Sequence, residues 1–161
     1  MPVINVSYRS PRKPQFDPHA LAVMGPQIRI DILPPSIAER YARKRGIKLP
    51  TASAITALID TGASVTGVDE EVLNKQLKYP PIGVSKLSTP SGTTQTSVYM
   101  VRLIIPSRTE PTDIPRIVID YVRVISVKLG NQPYKVLLGR DILSKMIMVY
   151  NGPQALVTLG Y

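Results

Sequence analysis

The segment that decides the fold reads Ala57-Leu58-Ile59-Asp60-Thr61-Gly62-Ala63-Ser64. The apolar run from Ile55 to Ile59 predicts a buried strand that stops abruptly at the acidic residue Asp60. Thr61 and Gly62 follow at once, and a glycine lets the backbone turn sharply and lets another chain approach closely. A carboxylate at the mouth of a buried strand is partly withdrawn from water, which suits acid–base chemistry. The same residues also fit an ordinary turn opened by an Asp, so the segment needs a second signal.

A second signal lies further along the chain, in Val136-Leu137-Leu138-Gly139-Arg140-Asp141-Ile142-Leu143. Branched residues predict a short strand from Val136 to Leu138, and Asp141 to Lys145 is predicted to form a short helix after the glycine.

Together the two segments resemble those of the retropepsin-like aspartic proteases. In that family an apolar-Asp-Thr-Gly-Ala/Ser sequence follows a strand, and an apolar-apolar-Gly-Arg-Asp/Asn-apolar-Leu block comes later. The resemblance covers about residues 26–161. It implies an all-β, closed barrel-like acid-protease fold with one or two short helices, completed as a homodimer. The initiating Met and a C-terminal hairpin favour a free-standing cellular protein, and the general resemblance favours a bacterial one.

Other strands are predicted from alternating or branched residues separated by Gly and Pro turns. They begin with the alternation of Ile28, Ile30 and Ile32 and continue with Val84–Leu87, Val98–Ile105, Ile117–Val127 and a final hairpin of Ile147–Tyr150 and Ala155–Leu159. Many short strands of this kind indicate a barrel or a sandwich.

Two further helices and an arm complete the predicted organisation. A capping box of Ser36 and Glu39 opens a helix that Gly46 closes, and Asp69 is expected to cap a helix to Leu77. Residues 1–25 are rich in proline and lack a period, which predicts an N-terminal arm before a domain of residues 26–161.

Composition excludes several classes of chemistry. The chain has 161 residues, no Cys and a single His, His19, which argues against a thiol nucleophile, a Ser-His-Asp triad and a Cys- or His-rich metal site. No metal and no cofactor are therefore expected. No apolar run is long enough to span a membrane, so we expect no membrane partner and a cytoplasmic location.

The net charge of +9 raises the possibility of nucleic-acid binding. Stacking platforms are scarce, since the chain has one Phe and no Trp. The densest basic run, Arg43-Lys44-Arg45, also suits the negative end of the helix dipole. Nucleic acid is therefore an unlikely partner, although a basic nucleic-acid-binding barrel stays a weaker alternative.

The resemblance implies chemistry that one chain cannot perform alone. Aspartic proteases use two carboxylates about 3 Å apart that share one proton, with one acting as the base on a water. This chain has one Asp-Thr-Gly segment, so a second copy must supply the second Asp60 across a two-fold axis. The expected activity is that of an aspartic endopeptidase on extended peptides, with the chain itself and a peptide or protein substrate as partners. The alternative is a catalytically silent module of the same fold that dimerises or binds peptides.

The resemblance also assigns roles to neighbouring residues. Asp60 is the catalytic residue, Thr61 and Gly62 support the carboxylate pair and contact the partner copy, and Gly62, Ala63 and Ser64 contact substrate. Leu87 to Thr96 corresponds to a flap that closes over the peptide, with Pro90, Ser91, Gly92 and Thr93 as its substrate-binding residues. This flap has a single glycine, whereas viral flaps are rich in glycine.

A last group of residues is expected to support the site from behind. Gly139 allows close packing beneath the active-site loop, and Arg140 and Asp141 are structural. Viral enzymes often pair this arginine with an acid at the position that Ser64 occupies here, which leaves Asp141 and Asp69 as candidate partners of Arg140. The strand Ala155–Leu159 is expected to join the dimer interface.

Overall fold

The computed structural model describes residues 3–9, 16–89, 92–110, 113 and 115–161. The strands within these ranges are β1 Val3–Ser7, β2 Gln27–Leu33, β3 Ala52–Ile59, β4 Gly67–Asp69, β5 Gly83–Thr89, β6 Gly92–Ile105, β7 Ile117–Val127, β8 Val136–Leu138, β9 Ile147–Asn151 and β10 Leu156–Gly160. The helices there are α1 Pro18–Met24, α2 Ser36–Lys44, the π-helix α3 Val72–Leu77 and α4 Arg140–Leu143. The mostly β class is confirmed, with short helices between the strands.

Seven strands form one sheet that closes on itself. Their order is β2-β3-β8-β4-β7-β6-β5, and β2 pairs with β6 as well as with β3. The switch takes place within β2, because its register with β3 shifts between Ile30 and Ile32 while Asp31 to Leu33 pair with β6. Six strands therefore close into a barrel, and β5 extends from it as one arm of the β5–β6 hairpin. This closure confirms the barrel-like architecture expected from the sequence.

Alternation of apolar residues places one face of β2, β6 and β7 in the barrel core. Ile28, Ile30 and Ile32 of β2 are buried, as their period of two predicts. The bounds of β7 and β8 match the predicted segments. By contrast, β6 begins at Gly92 rather than Val98, because polar residues before Val98 pair with β5 in the hairpin.

The carboxylate of Asp31 is fully buried although it alternates with the core isoleucines of β2. It accepts hydrogen bonds from the Ser107 hydroxyl, from Nε and the backbone N–H of Arg108 at 2.8 and 3.0 Å, and from the Ala54 N–H at 3.1 Å. Burial by itself raises the pKa of Asp31, and these four hydrogen bonds more than offset it, so the pKa lies below its ordinary value. Asp31 therefore fastens the loop after β6 to the end of β2.

Helix α2 begins and ends near the predicted residues, but the predicted capping box is wrong. Ser36 makes no side-chain cap; its backbone N–H donates to both carboxylate oxygens of Asp120 on β7, at 3.1 and 3.2 Å. Glu39 instead forms an ion pair with Arg102 of β6. A carboxylate from a distant strand has thus replaced the local cap. Gly46, with φ of +70°, follows the C-terminus as expected.

The predicted helix from Asp69 to Leu77 is shorter than expected. Asp69 ends strand β4, and the helix α3 covers Val72–Leu77. The buried carboxylate of Asp69 still accepts the Glu71 N–H at 2.9 Å and also accepts the Leu129 N–H at 2.9 Å. The same side chain thus serves both the helix start and the loop after β7.

The N-terminal residues predicted to form an arm contribute two elements to the packed structure. Strand β1 pairs antiparallel with β10, and Ile4 and Leu21 are buried in the same core as the barrel. The Tyr8 hydroxyl donates to the Gly25 carbonyl at 2.8 Å and accepts the Gln27 N–H, which joins this segment to the start of β2. Burial raises the pKa of Tyr8. These contacts tie residues before 26 to the domain predicted to begin there.

Candidate active site

Parallel pairing of β3 and β8 brings the two informative segments of the sequence together. Leu58 lies beside Leu137 and Ile59 beside Leu138, so the chain leaves both strands at the same edge. The Asp60 N–H donates to the Leu138 carbonyl at 3.0 Å, and the Arg140 N–H donates to the Ala63 carbonyl at 2.9 Å. The loop after Asp60 and the start of α4 are therefore joined directly by backbone hydrogen bonds.

The Asp60 side chain is half-buried and is oriented by its own loop. Its Oδ1 atom accepts the N–H groups of Gly62 at 2.8 Å and Ala63 at 3.2 Å. A Cβ atom on residue 62 would lie 3.0 Å from that oxygen, so glycine leaves room for this tight turn. Among the described residues, none donates a hydrogen bond to Oδ2. The loop therefore holds one of the two carboxylate oxygens through its own backbone.

Arg140 does not pair with either expected carboxylate. Its Nη1 donates to the carbonyls of Thr61 at 2.7 Å and Gly62 at 3.3 Å, and its Nη2 donates to the Ser64 hydroxyl at 2.8 Å. The expectation of Asp141 or Asp69 is wrong because the loop itself offers three oxygen acceptors at the guanidinium. Arg140 therefore holds the Asp60 loop from outside, through neutral acceptors.

Thr66 is a site residue that the sequence analysis missed. Its buried hydroxyl donates to Asp141 Oδ1 at 2.8 Å and accepts the Gly139 N–H at 3.1 Å. Thr66 comes immediately before the buried strand β4, and a polar residue at that position is a signal that could have pointed to it. The Asp141 carboxylate therefore binds Thr66 and not Arg140.

Gly139 lies in close contact with the chain that follows the Asp60 loop. A Cβ atom there would lie 2.7 Å from the backbone carbon of Val65 and 2.9 Å from the backbone nitrogen of Thr66. Its φ of −84° is ordinary, so the glycine is required by space rather than by backbone conformation. The packing that the sequence analysis expected of Gly139 is present in the structure.

An open cleft of about 770 Å³ lies between this loop and the β5–β6 hairpin. Gly62, Ala63 and Ser64 line one side of the cleft, and Leu87 and Thr94–Ser97 line the hairpin side. Its other walls combine the apolar residues Val65, Ile125, Val127, Leu129 and Leu137 with the charged residues Glu70 and Lys128. A cleft of this volume, walled in part by branched side chains, can hold an extended peptide.

The predicted flap residues are only partly within the described chain. Pro90 and Ser91 lie outside the described residues. Gly92, with φ of +126°, pairs with Thr89, and Thr93 pairs with Ser88, so both begin β6 immediately before the cleft residue Thr94. They are exposed, and their contact with substrate stays a prediction.

Thr61 and the strand Ala155–Leu159 were both expected at the dimer interface. Thr61 is exposed, and its hydroxyl makes no hydrogen bond to any residue that the structure describes. Strand β10 pairs with β1 on one edge and with β9 on the other, so both of its edges are used within the chain. The structure therefore leaves β10 no free edge for pairing with a second copy, and its place in a dimer interface stays a prediction.

The described residues hold no cluster of three or more His, Cys, Asp or Glu side chains that could bind a metal ion. His19 is exposed on α1. Of the helices described, none is long and apolar enough to cross a membrane.

Solved structures that are similar to this chain include two proteases. A retropepsin-like aspartic protease from Rickettsia conorii is 15% identical, with a TM-score of 0.49 over 99% of this chain and 90% of its own. The protease of simian foamy virus (mac) is 21% identical, with a TM-score of 0.40 over 74% of this chain and 92% of its own. No family model matches the chain, and no curated protein matches it in sequence. Likeness at this level leaves function to be inferred from the residues of the chain itself.

Proposed function

We propose that the chain is an aspartic endopeptidase in which two copies each supply one Asp60. The observation that supports this proposal most is the position of the Asp60 carboxylate and its hydrogen bonds. It lies at the end of a buried strand, in the loop whose Gly62, Ala63 and Ser64 line the cleft, with Oδ1 held by two backbone N–H groups and no hydrogen bond to Oδ2 from the described residues. This is half of a site that needs a second carboxylate.

In the proposed reaction, the two Asp60 side chains share one proton, because two charged carboxylates about 3 Å apart repel each other strongly. The ionised carboxylate removes a proton from a water, whose oxygen attacks the peptide carbonyl carbon. The protonated carboxylate donates a hydrogen bond to the carbonyl oxygen. The tetrahedral intermediate then collapses as a proton passes to the leaving nitrogen. Because one proton must be on the pair, kcat/KM is expected to fall on both sides of a pH optimum.

The proposal gives the neighbouring residues supporting roles. Arg140 and Gly139 hold the Asp60 loop against β8, Thr61 contacts the partner copy, and Gly62 to Ser64 contact the substrate backbone. The β5–β6 hairpin acts as the flap. We expect the substrate to be an extended peptide with apolar side chains and the enzyme to act in the cytoplasm.

The sheet of β1, β10 and β9 is the proposed dimer contact. Its outward face carries exposed Val3, Ile147 and Val149, at 41, 59 and 54% exposure, and Val3 and Ile147 both lie opposite Gly160. Burying these three side chains against a second copy would add apolar contact at no cost in unpaired backbone. The substitution Val149→Asp should therefore weaken the dimer. Val118→Asp, at a β7 residue of 55% exposure, is its matched control.

A peptide-library digest with native mass measurement tests the proposal. Asp60→Asn should remove cleavage while leaving the dimer intact, since losing an acid or base costs about 10² to 10⁴ in rate. Asp113→Asn, at an exposed aspartate elsewhere, should change nothing. Mixing equal amounts of wild type and Asp60→Asn should leave about a quarter of the dimers with two aspartates. The activity should therefore be about a quarter of that of wild type at the same total protein concentration.

Three results would contradict the proposal. Cleavage retained by Asp60→Asn would exclude Asp60 as the catalytic group. Activity that does not respond to Asp60→Asn in the mixture would exclude a shared site. A folded dimer that cleaves no peptide in the library would favour the silent module of the same fold.

A further inference from the structure

A surface at α2 combines exposed positive charge with exposed apolar side chains. From Arg40 to Lys48 every residue except Ala42 is exposed. This stretch contains five cations and no acid, namely Arg40, Arg43, Lys44, Arg45 and Lys48. In the described part of the chain, Arg43 is the one cation of the five in an ion pair, with Glu39 at 3.6 Å. Residues 37–48, which we call the α2 patch, therefore keep most of their positive charge unneutralised.

The helix dipole accounts for only part of this charge. Arg43 and Lys44 lie in the last turn of α2, where cations are favoured. Arg40 lies in the middle of the helix and Lys48 lies beyond its end, so the dipole explains neither. Neither the helix dipole nor an ion pair within the described residues accounts for Arg40 and Lys48.

Apolar side chains lie among these cations. Ile37 and Tyr41 are each 57% exposed and are four residues apart, so they share one face of the helix. Ile47, in the turn after the helix, is 54% exposed. Exposed isoleucines gain nothing from water, whereas cations and apolar residues together fit the boundary between lipid headgroups and acyl chains.

We propose that the α2 patch binds the surface of an anionic phospholipid membrane. The cations contact the negative headgroups, and Ile37 and Ile47 enter the boundary beneath them. The sequence analysis expected no membrane partner because no segment can span a bilayer, but a helix that lies on the surface needs no span. Nucleic acid fits less well, because aliphatic side chains gain little against phosphates. In addition, the Arg45 guanidinium lies 4.1 Å from the centre of the Tyr41 ring and covers a face on which a base would stack.

The α2 patch is separated from the cleft, so both can be occupied together. Glu39 of α2 binds Arg102 near the end of β6, whereas Thr94 to Ser97 at the start of β6 line the cleft. Ser97, the last of these cleft residues, and Arg102 are five residues apart on this strand, which corresponds to roughly 17 Å. Membrane binding through α2 therefore leaves the cleft accessible, and its test is independent of peptidase activity.

The experiment is co-sedimentation of the full chain with vesicles of phosphatidylcholine alone and of phosphatidylcholine with an equal part of phosphatidylserine. We expect binding to the second only, reduced by salt. The double substitution Arg40→Gln, Lys44→Gln should weaken it by about 25-fold, at about fivefold for each cation lost. Ile37→Ser with Ile47→Ser should weaken it without changing the charge. The control Arg29→Gln, Arg123→Gln removes the same charge from exposed strand positions and should bind as wild type does.

Each other outcome would overturn the proposal. No binding to anionic vesicles would exclude it directly. An equal loss of vesicle binding in the control variant Arg29→Gln, Arg123→Gln would show that net charge, rather than the α2 patch, attracts the protein to the vesicles. Binding to duplex DNA that depends on Arg40 and Lys44, with vesicle binding unaffected by the Ile37 and Ile47 substitutions, would favour nucleic acid.

Discussion

Replacing Gly139 by alanine tests how tightly the Asp60 loop is packed against β8. The added methyl would lie 2.7 Å from the Val65 backbone carbon, where ordinary contacts begin at 3.4 Å, a shortfall of 0.7 Å. The obstructing atoms include backbone of the loop continuation at Val65 and Thr66, so no flexible side chain can relieve the clash. Overpacking of this kind costs about 1–3 kcal/mol of the free energy of unfolding. For a chain of this length that lowers Tm by roughly 2–12 °C.

The same displacement should impair catalysis. If the loop moves by a distance approaching 1 Å, kcat/KM for a cleaved peptide should fall by about 10²-fold. Thermal unfolding and peptide hydrolysis should be measured at equal protein concentration, because a dimer's Tm depends on concentration.

Gly83→Ala is the matched control for this substitution. Gly83 is exposed on β5, and a methyl there would meet nothing within 4 Å. Its Tm and activity should match those of the wild type. If Gly139→Ala unfolds within about 2 °C of Gly83→Ala, corresponding to less than 1 kcal/mol, the packing argument is refuted.

Three further predictions concern the residues that hold the domain together. Asp31→Asn should destabilise the chain by about 3–5 kcal/mol, because an amide cannot accept all four hydrogen bonds, whereas Asp113→Asn should be neutral in the same denaturant titration. Folding lowers the pKa of Asp31, so its contribution to stability is complete above about pH 4 and is lost as pH falls through the folded-state pKa. If the free energies of unfolding of the wild type and of Asp31→Asn change in parallel down to acid pH, this argument is refuted. Leu21→Ala should lower the free energy of unfolding by about 2–5 kcal/mol, and a loss no larger than that of Val23→Ala, at 70% exposure on the same helix, would show that α1 contributes little to the core. Arg140→Lys should cost about 1–2 kcal/mol, since an ammonium cannot reach the Thr61 carbonyl and the Ser64 hydroxyl together, and unchanged unfolding would show that these hydrogen bonds contribute nothing.

The elements that the sequence predicted well are those whose signal is local. The strand Ile117–Val127 is recognisable from its own branched residues, and Ile28, Ile30 and Ile32 from their own alternation. The turn at Asp60 and Gly62 is likewise a property of adjacent residues. These features depend on side-chain period and backbone freedom, which a single segment carries with it.

The hydrogen-bond partners were decided by the tertiary structure. Ser36 and Asp120 are far apart in the chain, so a local capping box with Glu39 was the natural prediction, yet closure of the barrel brings the Asp120 carboxylate to the start of α2. Likewise, Asp31 looks like a solvent-facing residue of an alternating strand until the loop carrying Ser107 and Arg108 covers it. The alternation of apolar residues shows which side chains of a strand point into the core, but it does not show what covers the opposite face of the strand.

The candidate site divides in the same way. The sequence by itself determined that Asp60, Gly62 and Gly139 lie at the ends of strands, because composition and spacing mark strands and turns. Only the tertiary structure decided that β3 and β8 run side by side, that Arg140 binds Ser64 and that Thr66 joins Gly139 to Asp141. The physical reason is that strand pairing and buried hydrogen bonds are contacts between residues distant in the chain, and such contacts leave no periodic trace in either segment alone.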